Sequence, residues 1–180
     1  MADVAAVNSL PADALRFCIL TATRADETRS ARWREIDLEA RTWTIPDKRM
    51  KADEEHTVPL SDAALTILVK LRSEHTEAND YVFAMPHGRP FHHGAMRNVA
   101  NRLRPTIELT VHGFRSCFRD WCGDETDTPR EIAEAALAHK LGGVEGAYRR
   151  GTALQKRRAL MESWATHCGV GTVVPFKRTG

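Results

Sequence analysis

An imidazole and a guanidinium occur three residues apart at His112 and Arg115. In a helix this spacing puts the two side chains one turn apart on the same face. If the helix begins near Gly113, its free backbone N–H groups add to the side-chain donors. Such an end is suited to binding an anion, although a surface pair without any function shows the same spacing.

A second pattern combines a histidine, two glycines and a tyrosine. It consists of Leu137-Ala138-His139, Gly142-Gly143 and Tyr148-Arg149-Arg150. A flexible glycine link can bring a tyrosine into a site that other residues have prepared. A free phenol has a pKa near ~10, so it becomes a useful nucleophile only in a positive pocket. A tyrosine that only packs in the core is the alternative interpretation.

The charges are unevenly distributed along the chain, although the net charge is only +2. Between residues 89 and 119, six arginines stand against one acid, Glu108, and a second basic cluster spans residues 149–158. Acids gather instead between residues 120 and 134. This segregation can build one positive face for a phosphate backbone on a nearly neutral molecule. Solvated helix faces that happen to be basic are the alternative.

Length and composition are those of one globular domain, with 180 residues, 42% hydrophobic and 28% charged. No apolar run approaches the ~18 residues that cross a bilayer, and no signal peptide opens the sequence, so we expect no membrane association. The cysteines lack CxxC spacing, which predicts reduced thiols in the cytoplasm. His87, His92 and His93 lack nearby acidic or thiolate ligands, so we predict an exposed loop and no metal site.

The elements that must position these residues are mainly helices. Apolar spacing and capping residues predict helices over residues 11–23, 26–34, 61–75, 94–103, 113–122, 129–138 and 152–167, with a short piece around Tyr148. Alternation predicts strands over residues 41–46 and 56–60, joined by an exposed charged hairpin at 47–55, and a short strand at 81–84. Cys117 and Cys122 fall on one helix and are predicted to lie in the core.

Five motifs in this order resemble those of the phage integrases, which are tyrosine recombinases. The motifs are Thr23-Arg24-Ala25-Asp26-Glu27 with Trp33 and Ile36-Asp37; Arg49-Met50-Lys51 with His56-Thr57-Val58-Pro59-Leu60-Ser61; His112-Gly113-Phe114-Arg115 with Phe118-Arg119-Asp120-Trp121; Leu137-Ala138-His139; and Tyr148. Each motif is weakly specific alone, but the ordered set spans residues 11–164. Residues 33–37 and 156–161 are similar to integrases of genomic islands and satellite phages in particular.

The resemblance implies an α+β fold, predominantly helical with a small antiparallel β-sheet, of the tyrosine-recombinase (DNA breaking-rejoining enzyme) catalytic-domain type. It also implies site-specific DNA recombination, the integration or excision of a mobile element, through a 3′-phosphotyrosine intermediate. That link preserves the energy of the broken bond, so we expect no ATP, metal or other cofactor.

The resemblance also assigns roles to single residues. Tyr148 is the expected nucleophile, and Arg24 and Arg115 offer forked donors to the non-bridging phosphate oxygens. His112 and His139 add further donors, and either of them is a candidate for the base that deprotonates the tyrosine. Lys51 is the expected donor of a proton to the leaving 5′-oxygen, with Lys48 on the same hairpin as the alternative. Glu27 is expected to brace the site.

Double-stranded DNA is the expected partner, at core recombination sites. Basic residues predicted to contact it are Arg97, Arg149, Arg150, Arg157 and Arg158. We expect the full-length protein to act as a homotetramer on DNA in the bacterial cytoplasm, associated with the nucleoid, and this fragment to be a monomer. We expect residues 1–168 to form the catalytic domain and residues 169–180 a flexible tail, with core-binding and arm-binding modules absent.

Two other functions share part of this pattern. A type IB topoisomerase uses the same chemistry but relaxes DNA alone; motifs of the satellite-integrase type and a basic C-terminal helix argue against it. A non-catalytic DNA-binding remnant of a mobile-element integrase is the second alternative, and the intact catalytic positions argue against it. Formation of a denaturation-resistant protein–DNA adduct distinguishes a recombinase from the remnant.

Overall fold

The computed structural model describes residues 1–51, 53–139 and 150–169, with the side chains of 150–152 excepted. The helices described are α1 (Ala2–Ala5), α2 (Leu10–Thr21), α3 (Ala25–Arg29), α4 (Asp62–Leu71), α5 (Ala95–Leu103), α6 (Gly113–Asp124), α7 (Arg130–Ala136) and α8 (Arg150–His167). The strands are β1 (Ile36–Asp37), β2 (Thr42–Ile45) and β3 (His56–Pro59). This composition confirms the predicted fold class.

The sheet is a small antiparallel meander in the order β1-β2-β3. Trp43 of β2 pairs with Ile36 of β1 and with Val58 of β3. The side chains of β2 alternate, so Trp43 and Ile45 are buried while Thr42 and Thr44 are half-buried. One face of the sheet therefore contributes to the core, as the alternating sequence predicts.

Helix α2 lies at the centre of the domain and packs against α1, α3, α4, α5 and α8. Leu15 and Phe17 are fully buried, and the Phe17 ring lies 5.5 Å from both Trp43 and Phe83, measured between centroids. At the far end of the chain, Trp164 of α8 donates its indole N–H to the Ile19 carbonyl over 2.8 Å. Helix α8 thus folds back onto its own domain.

Several local predictions were wrong, among them the end of the helix predicted over 61–75, which stops at Leu71. Residues 81–84 form no strand but only two isolated bridges, Arg32 with Tyr81 and Ala84 with Pro90, because turn-forming residues on both sides leave no room for a ladder. The second helix ends at Arg29 rather than Arg34, since the chain must extend to make the first of these bridges. The hairpin is not wholly exposed, because it starts with a 3-10 turn at Asp47–Arg49 that buries Met50.

The two cysteines of α6 differ in burial, and most of the predicted C-terminal tail falls outside the described residues. Cys122 is buried as predicted, whereas Cys117 is exposed because it lies on the outer face of α6. Of the predicted tail at 169–180, all but Gly169 falls outside the described residues, as does the piece around Tyr148. In the described ranges, no helix has the length and apolar character needed to cross a bilayer.

Candidate functional site

Arg24 is held at the start of α3 by the carboxylate of Glu27. Glu27 accepts a hydrogen bond from the Arg24 backbone N–H at 2.7 Å and one from Arg24 Nη1 at 2.8 Å. The Glu27 side chain is only 4% exposed, whereas that of Arg24 is 26% exposed. Glu27 therefore satisfies a free N–H at the helix start and fixes the guanidinium, which keeps an open side.

Arg115 joins three parts of the chain although it is almost fully buried. Its Nη1 donates to the Ala22 carbonyl, just beyond the end of α2, and its Nη2 donates to the Leu137 carbonyl at 2.7 Å. Arg115 itself lies in the first turn of α6. One planar guanidinium thus connects the ends of α2 and α7 to the start of α6, a task that suits its forked geometry.

The pocket around Arg115 has an excess of positive charge. Burial, and then the nearby charge of Arg24, lower the pKa of Arg115, and Glu27 opposes this effect. Glu27 is ion-paired with Arg24, and no carboxylate of a described residue pairs with Arg115. The Nε of Arg115 is buried without a hydrogen-bond partner among the described residues. A buried cation of this kind favours the approach of an anion.

His139 completes this cluster from the end of α7. Ala138 takes a left-handed conformation with φ of 52°, which turns the chain so that His139 Nε2 lies 3.4 Å from Arg115 Nη2. On the other edge of the ring, Nδ1 lies 2.5 Å from Oε2 of Glu134, which is mostly buried. Because a carboxylate only accepts, Nδ1 carries the proton and Nε2 is an acceptor toward Arg115 in the neutral ring.

The other predicted catalytic residues are not in contact with this cluster. His112 is the N-cap of α6, and its exposed side chain makes no hydrogen bond within the described ranges. Lys48 and Lys51 are both exposed at the tip of the hairpin. Tyr148 and Arg149 lie outside the described residues. The structure therefore brings together Arg24, Glu27, Arg115 and His139 from three separate segments.

His56 belongs to the second motif, but sequence reasoning gave it no role in the site. It lies at the start of β3, near the Ala136 carbonyl of α7. Burial and the charge of Arg157 lower the pKa of His56 to about 4, and Glu27 partly offsets this. The available signal was strand alternation, because His56 pairs with the buried Ile45. His56 is thus a neutral residue at the contact between the hairpin and α7.

This burial predicts an acid sensitivity that belongs to His56. The folded-state pKa of His56 is about 4, below the ordinary 6.5. The contribution of neutral His56 to the free energy of unfolding is therefore fully present above pH 6.5 and is lost as the pH falls toward 4. The free energy of unfolding should fall by roughly 3 kcal/mol from this residue alone. Denaturant titrations at several pH values should show a shallower loss for His56→Gln than for the unaltered chain. Equal slopes would exclude the assignment, and exposed His75→Gln is the control.

The two predicted DNA contacts on the described part of α8 are engaged inside the domain. Arg157 is 9% exposed and donates to the Thr57 carbonyl at 2.7 Å. Arg158 donates to the Ala40 carbonyl at 2.7 Å and lies 3.4 Å from the Arg41 carbonyl. Both therefore hold the sheet against α8. By contrast, Arg97 of α5 and Lys156 of α8 are exposed, while the side chain of Arg150 falls outside the described part.

Other chemistries have little support in the described ranges. No three His, Cys, Asp or Glu side chains there come together as metal ligands, and His87, His92 and His93 are exposed. Cys18 lies next to this cluster and donates its thiol to the Thr23 carbonyl over 3.3 Å. Burial raises its pKa to about 11, which keeps the thiol protonated and makes it a poor nucleophile.

Comparison with known proteins agrees with the geometry. The family described as "Phage integrase family" matches residues 5–150. Prophage integrase IntA of Escherichia coli K12 is 37% identical over 150 residues, covering 82% of this chain and 36% of that protein. The chain thus spans about a third of this relative's length.

Two solved structures share the fold. The integrase from mycobacterium phage Brujita has a TM-score of 0.68 at 17% identity, covering 89% of this chain and 54% of that one. A lambda integrase (75–356) dimer bound to a COC' core site has a TM-score of 0.57 at 17% identity, covering 78% and 54%. At this identity the likeness describes the fold alone.

Proposed function

Because the chain belongs to the phage integrase family, we propose that it is the catalytic part of a site-specific DNA recombinase, which cuts and rejoins strands through a bond to Tyr148. The observation that carries this proposal is the pocket in which the guanidinium groups of Arg24 and Arg115 meet the imidazole of His139. Three segments distant in sequence converge there, and Arg115 has no acidic partner among the described residues. A phosphodiester is the anion that this arrangement suits.

The reaction that we propose conserves bonds and charge. The Tyr148 oxygen bonds to phosphorus and the bond from phosphorus to the 5′-oxygen breaks, which leaves a 3′-phosphotyrosine. The phenol gives its proton to a base, His112 or His139, and the leaving 5′-oxygen gains one from Lys51. Rejoining reverses both transfers, so neither ATP nor a metal is required.

The pocket stabilises the charge that develops between these states. A five-coordinate phosphorane carries more negative charge on its non-bridging oxygens than the diester does, so fixed donors favour the transition state. Arg115 is preorganised by two carbonyls and Arg24 by Glu27. In the neutral ring, Nε2 of His139 carries a lone pair that can accept a proton and return it in the reverse step.

Lys51 gives a prediction that separates acid catalysis from binding. A leaving alkoxide needs a proton near neutral pH, whereas a thiolate does not. Lys51→Ala should slow cleavage of normal DNA by ~10²- to 10⁴-fold with little change in affinity. A substrate with sulfur at the bridging 5′ position should restore its rate in single-turnover assays. Rescue of Lys48→Ala in its place would transfer the role to Lys48.

DNA binding provides a second prediction, drawn from burial on α8. Lys156 is exposed and its neighbour Arg157 is buried. If the outer face of α8 lies against DNA, Lys156→Ala should reduce the slope of log K against log salt by about one. Arg157→Ala should leave the slope unchanged and lower thermal stability, since its donor holds Thr57. A lower slope for Arg157→Ala alone would contradict the inward role.

The test of the proposed function is a nicked suicide substrate that carries the core site. After cleavage the short 5′ fragment diffuses away and cannot be rejoined, so a covalent adduct accumulates. We expect a denaturation-resistant adduct in excess EDTA. Cleavage that appears only with added Mg²⁺ would indicate a nuclease, and relaxation of supercoiled DNA without a core site would indicate a topoisomerase.

A further inference from the structure

Arg49, at the end of the hairpin's 3-10 turn, contacts three acceptors on other segments. Its Nη1 donates to Ser30 Oγ at 2.7 Å and to the Glu27 carbonyl at 3.3 Å. Its Nη2 pairs with the carboxylate of Glu35. The guanidinium thus binds both the middle and the end of α3.

Glu35 is a rigid anchor for this arginine. Its side chain is only 3% exposed, and its Oε2 accepts from Trp43 Nε1 at 3.1 Å and from the Arg32 backbone N–H at 3.2 Å. Trp43 is fully buried in the core. A carboxylate fixed from several sides holds its partner in one place, and this differs from an exposed ion pair that samples many geometries.

Arg49 is connected to two predicted catalytic residues, to Arg24 through Glu27 and to Lys51 along the chain. Arg24 is the N-cap of α3, and Glu27, the third residue of that helix, holds the Arg24 side chain while its carbonyl accepts from Arg49. On the other side, Lys51 follows Arg49 by two residues, after the buried Met50. Two residues of chain span at most about 7 Å, so fixing Arg49 limits where Lys51 can be.

We propose that Arg49 is a positioning residue, which fixes the hairpin that carries Lys51 at a set distance from Arg24. The inference rests on the proposed function, in which Lys51 protonates the leaving oxygen. Arginine is suited to this task because its planar fork reaches three acceptors at once, whereas lysine offers one point of charge. A shift of about 1 Å in the position of a proton donor can lower the cleavage rate by ~10²-fold, so the loss of the Arg49 contacts should be measurable.

The first test measures strand cleavage by the full chain with Arg49→Gln. On normal DNA the single-turnover rate should fall by roughly 10- to 100-fold. On the 5′-bridging sulfur substrate, which needs no proton donor, the rate should return to that of the unaltered protein. Arg49→Gln with Lys51→Ala should be no slower than Lys51→Ala alone, because both changes act on one step. Glu35→Gln, which removes the anchor's charge, should show a weaker form of the same pattern.

The matched control is Arg41→Gln. Arg41 is also ion-paired, with Asp62, but it lies just before the start of β2, at the opposite end of that strand from the hairpin. Its rates should be unchanged on both substrates. Equal slowing of Arg49→Gln on the two substrates would overturn the proposal, since the defect would then lie outside proton donation. If the unaltered chain forms no adduct on either substrate, the proposed function fails. The positioning role of Arg49 is then tested by the following measurement.

Limited trypsin digestion tests, in the absence of DNA, whether Arg49 fixes the hairpin. Cleavage after Lys51, identified by fragment mass, should be faster in Arg49→Gln and Glu35→Gln than in the unaltered chain. Both changes remove the Arg49–Glu35 ion pair that fixes the hairpin. Arg41→Gln should match the unaltered chain. The melting curve of each variant is measured first, and every digestion is run at a temperature below the onset of unfolding. An unchanged rate after Lys51 in folded Arg49→Gln would overturn the proposal whatever the protein does to DNA.

Discussion

Tyr148→Phe should abolish the covalent adduct while leaving DNA affinity nearly unchanged. Only the nucleophilic oxygen is removed, and the arginines that bind phosphate remain. The Cys18 thiol beside the pocket should not substitute for it, because burial raises its pKa to about 11 and keeps it protonated. Gel analysis of the suicide-substrate reaction measures the adduct, and a filter-binding titration measures affinity.

The chain offers a well-matched control, because it contains two tyrosines. Tyr81 lies under the Arg32 guanidinium, 4.1 Å from ring centroid to carbon, and its hydroxyl accepts from Arg32 Nη2 at 2.9 Å. Tyr81→Phe should therefore form adduct at the normal rate. If the adduct persists in Tyr148→Phe, or disappears in folded Tyr81→Phe, Tyr148 is not the nucleophile.

Arg115→Lys should slow cleavage by about 10²- to 10³-fold, the usual cost of removing one preorganised donor. Lysine keeps the charge but cannot hold the Ala22 and Leu137 carbonyls together, so the ends of α2 and α7 lose their common partner. We also expect a stability loss of about 1–3 kcal/mol from the unsatisfied carbonyls. The sulfur substrate should not rescue this variant, because the missing interaction is with the non-bridging oxygens.

A control on the same helix separates charge from position. Arg119 of α6 is exposed and approaches Glu134 at only 4.0 Å. Arg119→Lys should leave both the rate and the melting temperature unchanged. Single-turnover rates and thermal melts of the two variants decide the matter. Rescue of Arg115→Lys by sulfur would move Arg115 to the leaving-group side of the reaction.

Local sequence rules predicted much of the framework. Ser61 caps α4 through its hydroxyl, which accepts from the Ala64 N–H, and the alternation of 41–46 produced β2. These features depend on residues a few positions apart, so propensity and capping determine them. The helix predicted at 26–34 ended early because Arg32 bridges Tyr81, 49 residues away. A tertiary contact overrode local preference there.

The site was predictable in its parts but not in its connections. The motifs pointed to Arg24, Arg115 and His139, and their convergence is what the resemblance implied. The sequence did not indicate that Arg157 would hold Thr57, 100 positions away, or that Arg49 would bridge to Glu35. Both arginines look like surface charges in a linear reading. Only packing reveals that their guanidinium groups point inward, because a charge alone carries no direction.

Mass mapping of the adduct shows whether the covalent bond to DNA forms at Tyr148. The chain is incubated with the suicide substrate in EDTA, and the adduct is denatured and digested with trypsin and nuclease. Cleavage after Lys140 and Arg149 releases peptide 141–149, which contains Tyr148. We expect this peptide alone to carry a 3′-linked nucleotide. A nucleotide on any other peptide, such as the one containing Tyr81, would contradict it.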